Sequence, residues 1–187
     1  MSGSAGRRER PSREEIEAAG GRGVPDVIAK GLNILFCGIN PGLYSGAVGH
    51  HFARPGNRFW KGLSEAGLTP RLLEPREEKK MLEYGYGITN LVNRATASAD
   101  EIGDEELRRG HRSLSGKAGW YRPGTVAVLG LTAYRTAFEE KRAEIGRQER
   151  RIGDSALWVL PSPSGLNAHY QLADFARLFS RLKEEAT

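Results

Sequence analysis

Apolar positions along the chain fall into short continuous runs separated by stretches with a helical period. Four runs, residues 32–37, 84–92, 125–130 and 157–160, are rich in Val, Ile, Leu or aromatic residues and are bounded by Gly, Pro or Asn. Continuous rather than alternating apolarity is what a strand buried on both faces requires, and it predicts a parallel sheet. Residues 55–67, 72–82 and 133–143 read as helices, with Asn57 as the cap of the first and Phe59, Trp60 and Leu63 as its core face. Residues 104–116 read as a polar helix, and 170–185 close the chain as an amphipathic one. Strands alternating with helices predict the α/β class: a three-layer sandwich with a mostly parallel four-stranded central sheet flanked by helices.

Composition adjusts this picture in three ways. Residues 1–25 hold many Gly, Ser, Arg and Glu and few large apolar residues, so they read as a flexible N-terminal tail, with at most a helical turn over 14–19, ahead of a single domain over 26–187. The net charge of +5 permits an anionic partner without requiring one, and the tail's Arg7, Arg8, Arg10 and Arg13 are nearly cancelled by Glu9, Glu14, Glu15 and Glu17. Cys37 is the only cysteine, which excludes an internal disulfide and a cysteine-rich zinc site; within an apolar strand it reads as a buried thiol. With no run near the ~20 apolar residues of a membrane span and no signal-peptide pattern, the expectation is a cytoplasmic protein without membrane contact, and a monomer.

Ligands of parallel α/β sheets sit outside the carboxyl ends of the strands, so the residues that follow each strand are the candidates for chemistry. The first strand runs into Gly38-Ile39-Asn40-Pro41-Gly42, the second ends in Asn90-Leu91-Val92-Asn93-Arg94, and the fourth in Pro161-Ser162-Pro163-Ser164-Gly165-Leu166-Asn167. In the first turn Gly38 and Gly42 allow close backbone approach, Pro41 stiffens the chain, and Asn40 supplies one amide in a fixed place. Residues 43–56, rich in Gly and His, read as a functional loop whose lone aromatic, Phe52, is either a stacking surface or a core residue. His50 and His51 have no acidic or Cys partner nearby in sequence, and there is no Gly-Lys-Ser/Thr phosphate loop or acidic cluster, so neither metal nor cofactor is expected.

Three segments together, Gly38-Ile39-Asn40-Pro41-Gly42-Leu43, then Phe52-Ala53-Arg54-Pro55 leading into Asn57-Arg58-Phe59-Trp60, and Pro161-Ser162-Pro163-Ser164-Gly165-Leu166, resemble the mismatch-specific uracil/thymine DNA glycosylases of the uracil-DNA glycosylase superfamily. The resemblance implies flipping of a nucleotide out of duplex DNA and attack of water at its sugar carbon. It assigns Asn40 the positioning of that water, and Phe52 the stacking of the base. Gly38, Ile39, Gly42, Tyr44 and Ser45 are candidates for the rest of the base pocket. Ser164, Gly165, Leu166 and Asn167 correspond to a DNA-wedge loop, with Leu166 filling the vacated space, Asn167 a candidate to bond the orphaned base, and Ser162 and Ser164 candidates for the flanking phosphates; read without the resemblance, this is a helix-entry loop whose Leu packs inward. Arg58 and Lys61 either contact phosphate or belong to a solvated helix face. Asn93 stands where the family commonly carries an acid: either the position is structural, or a catalytic acid has been exchanged for its isostere with loss of activity, and Asn93 is therefore a catalytic candidate beside Asn40.

Three functions follow. The first is a monofunctional glycosylase that removes uracil opposite guanine, or thymine and other modified pyrimidines, from double-stranded DNA and leaves an abasic site, no active-site lysine being evident for a lyase step. The second is a mismatch- or abasic-site-binding protein with little catalysis. The third, hydrolysis of free nucleotides, lacks its phosphate-binding motif.

Overall fold

A computed structural model describes residues 10–186; residues 1–9 of the expected tail lie outside the described residues. The strands β1 (Ile34–Gly38), β2 (Tyr86–Asn90) and β3 (Thr125–Leu129) are buried along their whole length, as their continuous apolar runs require. With β4 (Gly146–Ile152) and β5 (Ser155–Leu160) they form one sheet in the order β2-β1-β3-β5-β4, parallel except for β4. Around the sheet lie α1 (Arg13–Glu17), α2 (Leu43–Val48), α3 (Phe59–Glu65), α4 (Asp104–Tyr121), α5 (Leu131–Ala137) and α6 (Leu172–Ala186), with 3-10 helices at Pro75–Tyr84 and Ala99–Glu101.

Alternation along the strands divides the core between two faces. Ile34, Phe36, Leu129 and Trp158 face one cluster, with Phe59 and Leu63 of α3 and Phe175 and Phe179 of α6. The Phe36 ring lies edge-on to Phe59 at 5.3 Å and to Phe179 at 5.8 Å. Leu35, Cys37, Val128 and Val159 face the other, with Leu107 and Leu114 of α4 and Tyr134 of α5. Burial pushes the Cys37 thiol pKa upward, keeping it neutral.

The expected four-stranded sheet has a fifth member. Only the two ends of β4 are buried, and its remaining residues face or approach solvent, as suits an antiparallel edge strand. It joins β5 through a two-residue turn led by Gly153 at φ 57°. Residues 43–56 are not a loop throughout, since α2 occupies their first part and ends at Gly49 with φ 74°. The helix expected over 72–82 is a 3-10 helix, and the one expected over 133–143 ends at Ala137.

Residues 10–25, expected within a flexible tail, are mostly exposed but are folded and tied to the domain. Ser12 and Glu15 form a reciprocal capping box at the start of α1, and Ala19 and Val24 are fully buried. Gly21 N donates to Ala95 O and Ala95 N to Arg22 O, each at 2.8 Å. Backbone pairing rather than large apolar side chains holds the segment, which is why its composition conceals it. Val27 then pairs antiparallel with Ile88, and Asp26 is tied to Lys117 at 2.6 Å and to Thr89 at 2.8 Å.

The sheet order creates a switch point: from β1 the chain crosses to β2 on one side and then to β3 on the other. The approach of α4 to this end depends on Gly110, where an added Cβ would lie 2.5 Å from the Leu91 carbonyl oxygen. Alanine there gains about 1 kcal/mol of helix propensity but must displace backbone. Gly110→Ala is expected to destabilise the fold by about 1–3 kcal/mol, read as a lower urea midpoint; a raised midpoint would show that α4 is free to shift.

Candidate active site

Outside the carboxyl ends of β1, β2, β3 and β5 lies a cavity of about 350 Å³, within the range of small-ligand sites, roughly 300–1,000 Å³. The backbone pairing of β1 with β2 continues past the strand ends, with Leu91 N donating to Gly38 O and Val92 N to Ile39 O, each at 2.9 Å. This carries residues 93–96 alongside residues 40–42, where Gly42 and Thr96 form a parallel bridge. The Asn40 side chain therefore meets a wall of acceptors. Its Nδ2 donates to Thr96 Oγ1 at 2.7 Å, Arg94 O at 2.9 Å and Pro41 O at 3.1 Å. Carbonyl oxygens can only accept, so the nitrogen must face them and the orientation of the carboxamide is determined. Oδ1 has no hydrogen-bond partner among the described residues and remains available as an acceptor.

The wall is itself braced. Thr96 Oγ1 donates onward to Ser98 O at 2.7 Å. The Arg94 guanidinium grips Glu106 through two bonds of 2.8 and 2.6 Å, and this pairing holds the Glu106 carboxyl down to about 2.

A second oriented amide lies at the end of β2. His51 Nε2 is 2.9 Å from Pro25 O, an acceptor, so Nε2 carries the proton and Nδ1 of the neutral ring accepts from Asn90 Nδ2 at 3.3 Å. Burial holds the His51 pKa below its ordinary 6.5, against the opposing pull of the Pro25 hydrogen bond and of the Glu78 and Asp26 charges. Asn90 Oδ1 lies over Gly38, where an added Cβ would sit 2.5 Å from it and 3.3 Å from the Phe52 ring. Gly38 is needed so that these two side chains can close over the turn.

Phe52 adopts φ 51°, a left-handed conformation that costs a non-glycine residue roughly 1–3 kcal/mol. The loop around it is pinned by His51 N donating to Glu78 at 2.8 Å, Ala53 N to Ser45 Oγ at 3.1 Å and Trp60 Nε1 to His51 O at 3.1 Å. The ring rests against Phe59 at 4.2 Å and also lines the cavity, so it is part core and part site wall. His50 Nδ1 lies 3.0 Å from Glu78.

The loop after β5 forms the opposite rim. Arg58 N donates to Pro163 O, and its guanidinium Nη1 donates to Ser164 O at 3.0 Å and Asn167 O at 2.9 Å. Asn167 Nδ2 returns to Ser162 O at 3.0 Å, and Leu166 N donates to Ser164 Oγ at 3.2 Å. The loop is thus closed on itself, and Leu166 is 72% exposed at its tip rather than packed inward.

Of the residues singled out in the sequence, Gly38, Ile39, Asn40, Gly42, Ser45, Phe52, Ser162, Ser164, Leu166 and Asn167 line one cavity. Tyr44 sits half-buried on α2, Gly165 is exposed on the wedge loop against Gly56, and Lys61 is exposed on α3, none of them at the cavity wall. Arg58 lies beneath the loop, its guanidinium engaged by carbonyls. Asn93 is not brought to the cavity: its Oδ1 accepts from Val24 N at 2.8 Å. The cavity is also lined by Thr96, which no motif singled out, and by four residues to which the sequence gave no pocket role: His51, weighed only as a metal ligand, Asn57, read as a helix cap, Asn90, and Arg54, which is exposed at the rim. Asn90 was open to discovery as the polar end of a buried strand; the others depend on contacts distant in sequence. Among the described residues neither Arg54 nor Lys61 forms an ion pair, and no helix is long and apolar enough to cross a membrane.

The model of the uracil DNA glycosylase superfamily matches residues 25–184. A solution NMR structure from Methanosarcina acetivorans, provisionally assigned as a uracil DNA glycosylase, superposes with a TM-score of 0.60, covering 87% of this chain and 98% of that one at 22% identity. At that identity the structural likeness speaks for the fold. The family match spans most of the chain and includes every element that builds the cavity, so the chain belongs to the uracil DNA glycosylase superfamily, whose members are DNA glycosylases of base excision repair.

Proposed function

We propose that the protein is a monofunctional, mismatch-specific glycosylase that removes uracil, above all opposite guanine, from double-stranded DNA after flipping the nucleotide into this cavity. The observation that carries the reading is the Asn40 carboxamide, whose nitrogen is held by three acceptors while its oxygen is left for a water. An amide orients a water but is no base at neutral pH. Among the described residues no Asp or Glu lines the cavity, so the leaving group must do much of the work. As water bonds to C1′, the C1′–N1 bond breaks with its electron pair departing on the base as an anion, and the proton the water sheds ends on that base, giving the free neutral base and a C1′ hydroxyl. Backbone N–H groups of the turn around Asn40 would stabilise that charge as it develops.

Each part of the cavity has a place in this scheme. Phe52 offers its ring to the flat base. With its nitrogen engaged by His51, Asn90 presents an acceptor, which complements the N3–H of uracil or thymine and opposes the unprotonated N3 of cytosine. Leu166 is an exposed apolar wedge on a braced loop, suited to the space a flipped nucleotide leaves. Arg54 and Lys61, which form no ion pair among the described residues, offer cationic groups for phosphates, whereas Arg58 acts by holding the wedge loop. Thymine and other 5-substituted pyrimidines belong to the same proposal, as does action as a monomer. The alternative, a mismatch- or abasic-site-binding protein with little turnover, draws on the same carboxylate-free wall.

Three outcomes are expected. Asn40→Ala lowers single-turnover uracil excision from a duplex by about 10²–10³-fold with little loss of DNA affinity; tight binding without base release by the unaltered chain would decide for the alternative. Arg58→Ala slows excision from a fully paired duplex more than from single-stranded DNA, where no wedge is needed, and equal losses would dismiss the brace. The third concerns pH. The site needs neutral His51, whose pKa lies below 6.5 in the folded chain, so the acid-side fall in excision rate is centred below pH 6.5. Stability follows the same sign: as pH drops through 6.5 the unfolded chain takes up the proton first, and folding weakens until the folded-state pKa is passed. An acid limb centred above 6.5 would remove His51 from the account.

A further inference from the structure

The backbone of residues 93–96 is bonded on two sides in alternation. Residues 93 and 95 bond the N-terminal segment: Asn93 Oδ1 accepts from Val24 N, Ala95 N donates to Arg22 O, and Ala95 O accepts from Gly21 N, all at 2.8 Å. Residues 94 and 96 bond the Asn40 turn: Arg94 O and Thr96 Oγ1 accept from Asn40 Nδ2 at 2.9 and 2.7 Å, and Thr96 N donates to Pro41 O at 3.2 Å. An extended chain directs successive groups to opposite sides, so one short segment can serve both neighbours. Packing is close on the outer side. A Cβ at Gly23 would lie 2.7 Å from Asn93 Nδ2, and one at Gly46 of α2 would lie 2.7 Å from the Ala95 Cβ and 3.4 Å from Ala19 O.

We propose that Asn93 is a positioning residue: with residues 21–24 it clamps the 93–96 strip from behind, and the strip in turn holds the Asn40 carboxamide in its working orientation. The N-terminal segment, which precedes the matched residues 25–184, is thereby a structural component of the active site. The proposal rests on the reading of Asn40 given above. It also assigns the departure at position 93 a physical meaning. The Asn93 side-chain oxygen is engaged by a backbone N–H away from the cavity, and a carboxylate in the same place would make the same bond. The position calls for an acceptor, not for an acid.

The test compares the full-length chain with Asn93→Ala, Asn93→Asp and Gly23→Ala in single-turnover excision of uracil opposite guanine, duplex affinity, and NMR of the Asn40 side-chain amide protons. Asn93→Ala is expected to slow excision about ten- to a hundredfold, the scale on which small misplacement acts, with duplex affinity changed less than about twofold, and to speed exchange of the Asn40 amide protons. Asn93→Asp, which keeps the acceptor, restores both the rate and the protection. Gly23→Ala, which presses on Asn93 from the other side, shifts both in the direction of Asn93→Ala, and combining the two adds little. Excision well above the unaltered chain in Asn93→Asp would make the side chain an acid and overturn the proposal. So would a slowed Asn93→Ala whose Asn40 signals are unchanged, or an Asn93→Ala that loses nothing. Should the unaltered chain release no base, the glycosylase reading fails, while the Asn40 amide signals still decide the clamp: faster exchange in Asn93→Ala upholds it and unchanged exchange overturns it.

Discussion

A carboxamide is nearly symmetric in shape and opposite in chemistry at its two ends, so an asparagine that faces a cavity presents one defined group only if something prevents it from turning over. Here the constraint is a set of acceptors around Asn40 Nδ2, two of them backbone carbonyls that could meet the oxygen only by repulsion. Two of those acceptors, Arg94 O and Thr96 Oγ1, are supplied by the chain beyond β2, and they arrive because the parallel register that sets Gly38 opposite Asn90 continues for two more backbone bonds. A shift of one residue would replace Arg94 O and Thr96 Oγ1 with groups that face the N-terminal segment. The site's geometry is therefore a consequence of sheet register, and the buried, continuous apolarity of β1 and β2 is what specifies it.

Asn90 solves the same problem differently. Its amide is oriented by an imidazole rather than by carbonyls, and the imidazole is oriented by Pro25 O. The first arrangement is permanent across the pH range and the second is conditional on one proton. His51 is kept neutral chiefly by the burial of its own ring in the 50–52 loop, where Phe52 also takes up its strained backbone conformation. Strain at Phe52 and neutrality at His51 thus share a cause: the tight closure of that loop over Gly38, made possible by the lack of a side chain there.

Strands with two buried faces were legible in the sequence because nothing else explains runs such as Thr125-Val126-Ala127-Val128-Leu129, and the turns at their ends located the cavity. The β4 strand was not, because Arg147, Glu149, Arg150 and Arg151 carry the charges of an edge strand, and its cue was the Gly153-Asp154 turn. Helix α2 was hidden by Gly42, Gly46 and Gly49, residues that read as loop although Gly42 and Gly49 cap the helix and Gly46 fills a tight place against Ala95. Among site residues, Asn40 could be singled out from its turn, whereas Leu166 was reached only through the family resemblance, local chemistry having packed it inward. The engagement of Arg58 by Ser164 and Asn167, and of Asn93 by Val24, joins positions 106, 109 and 69 apart, and residue type cannot disclose such partners.

The placement of the N-terminal segment also answers a problem set by the sheet order. Strand β2 lies at an edge, where unpaired backbone groups invite fraying or pairing with another chain. Val27 covers part of it by exchanging both backbone bonds with Ile88, at 2.9 and 2.8 Å, and Gly21 and Arg22 continue the cover onto Ala95 just past the strand. Protection of the edge and support of the strip behind Asn40 are thus performed by one stretch of backbone. Such a stretch needs hydrogen bonds and close approach, not apolar bulk, and this accounts for a segment that looks dispensable by composition while occupying a place the site depends on.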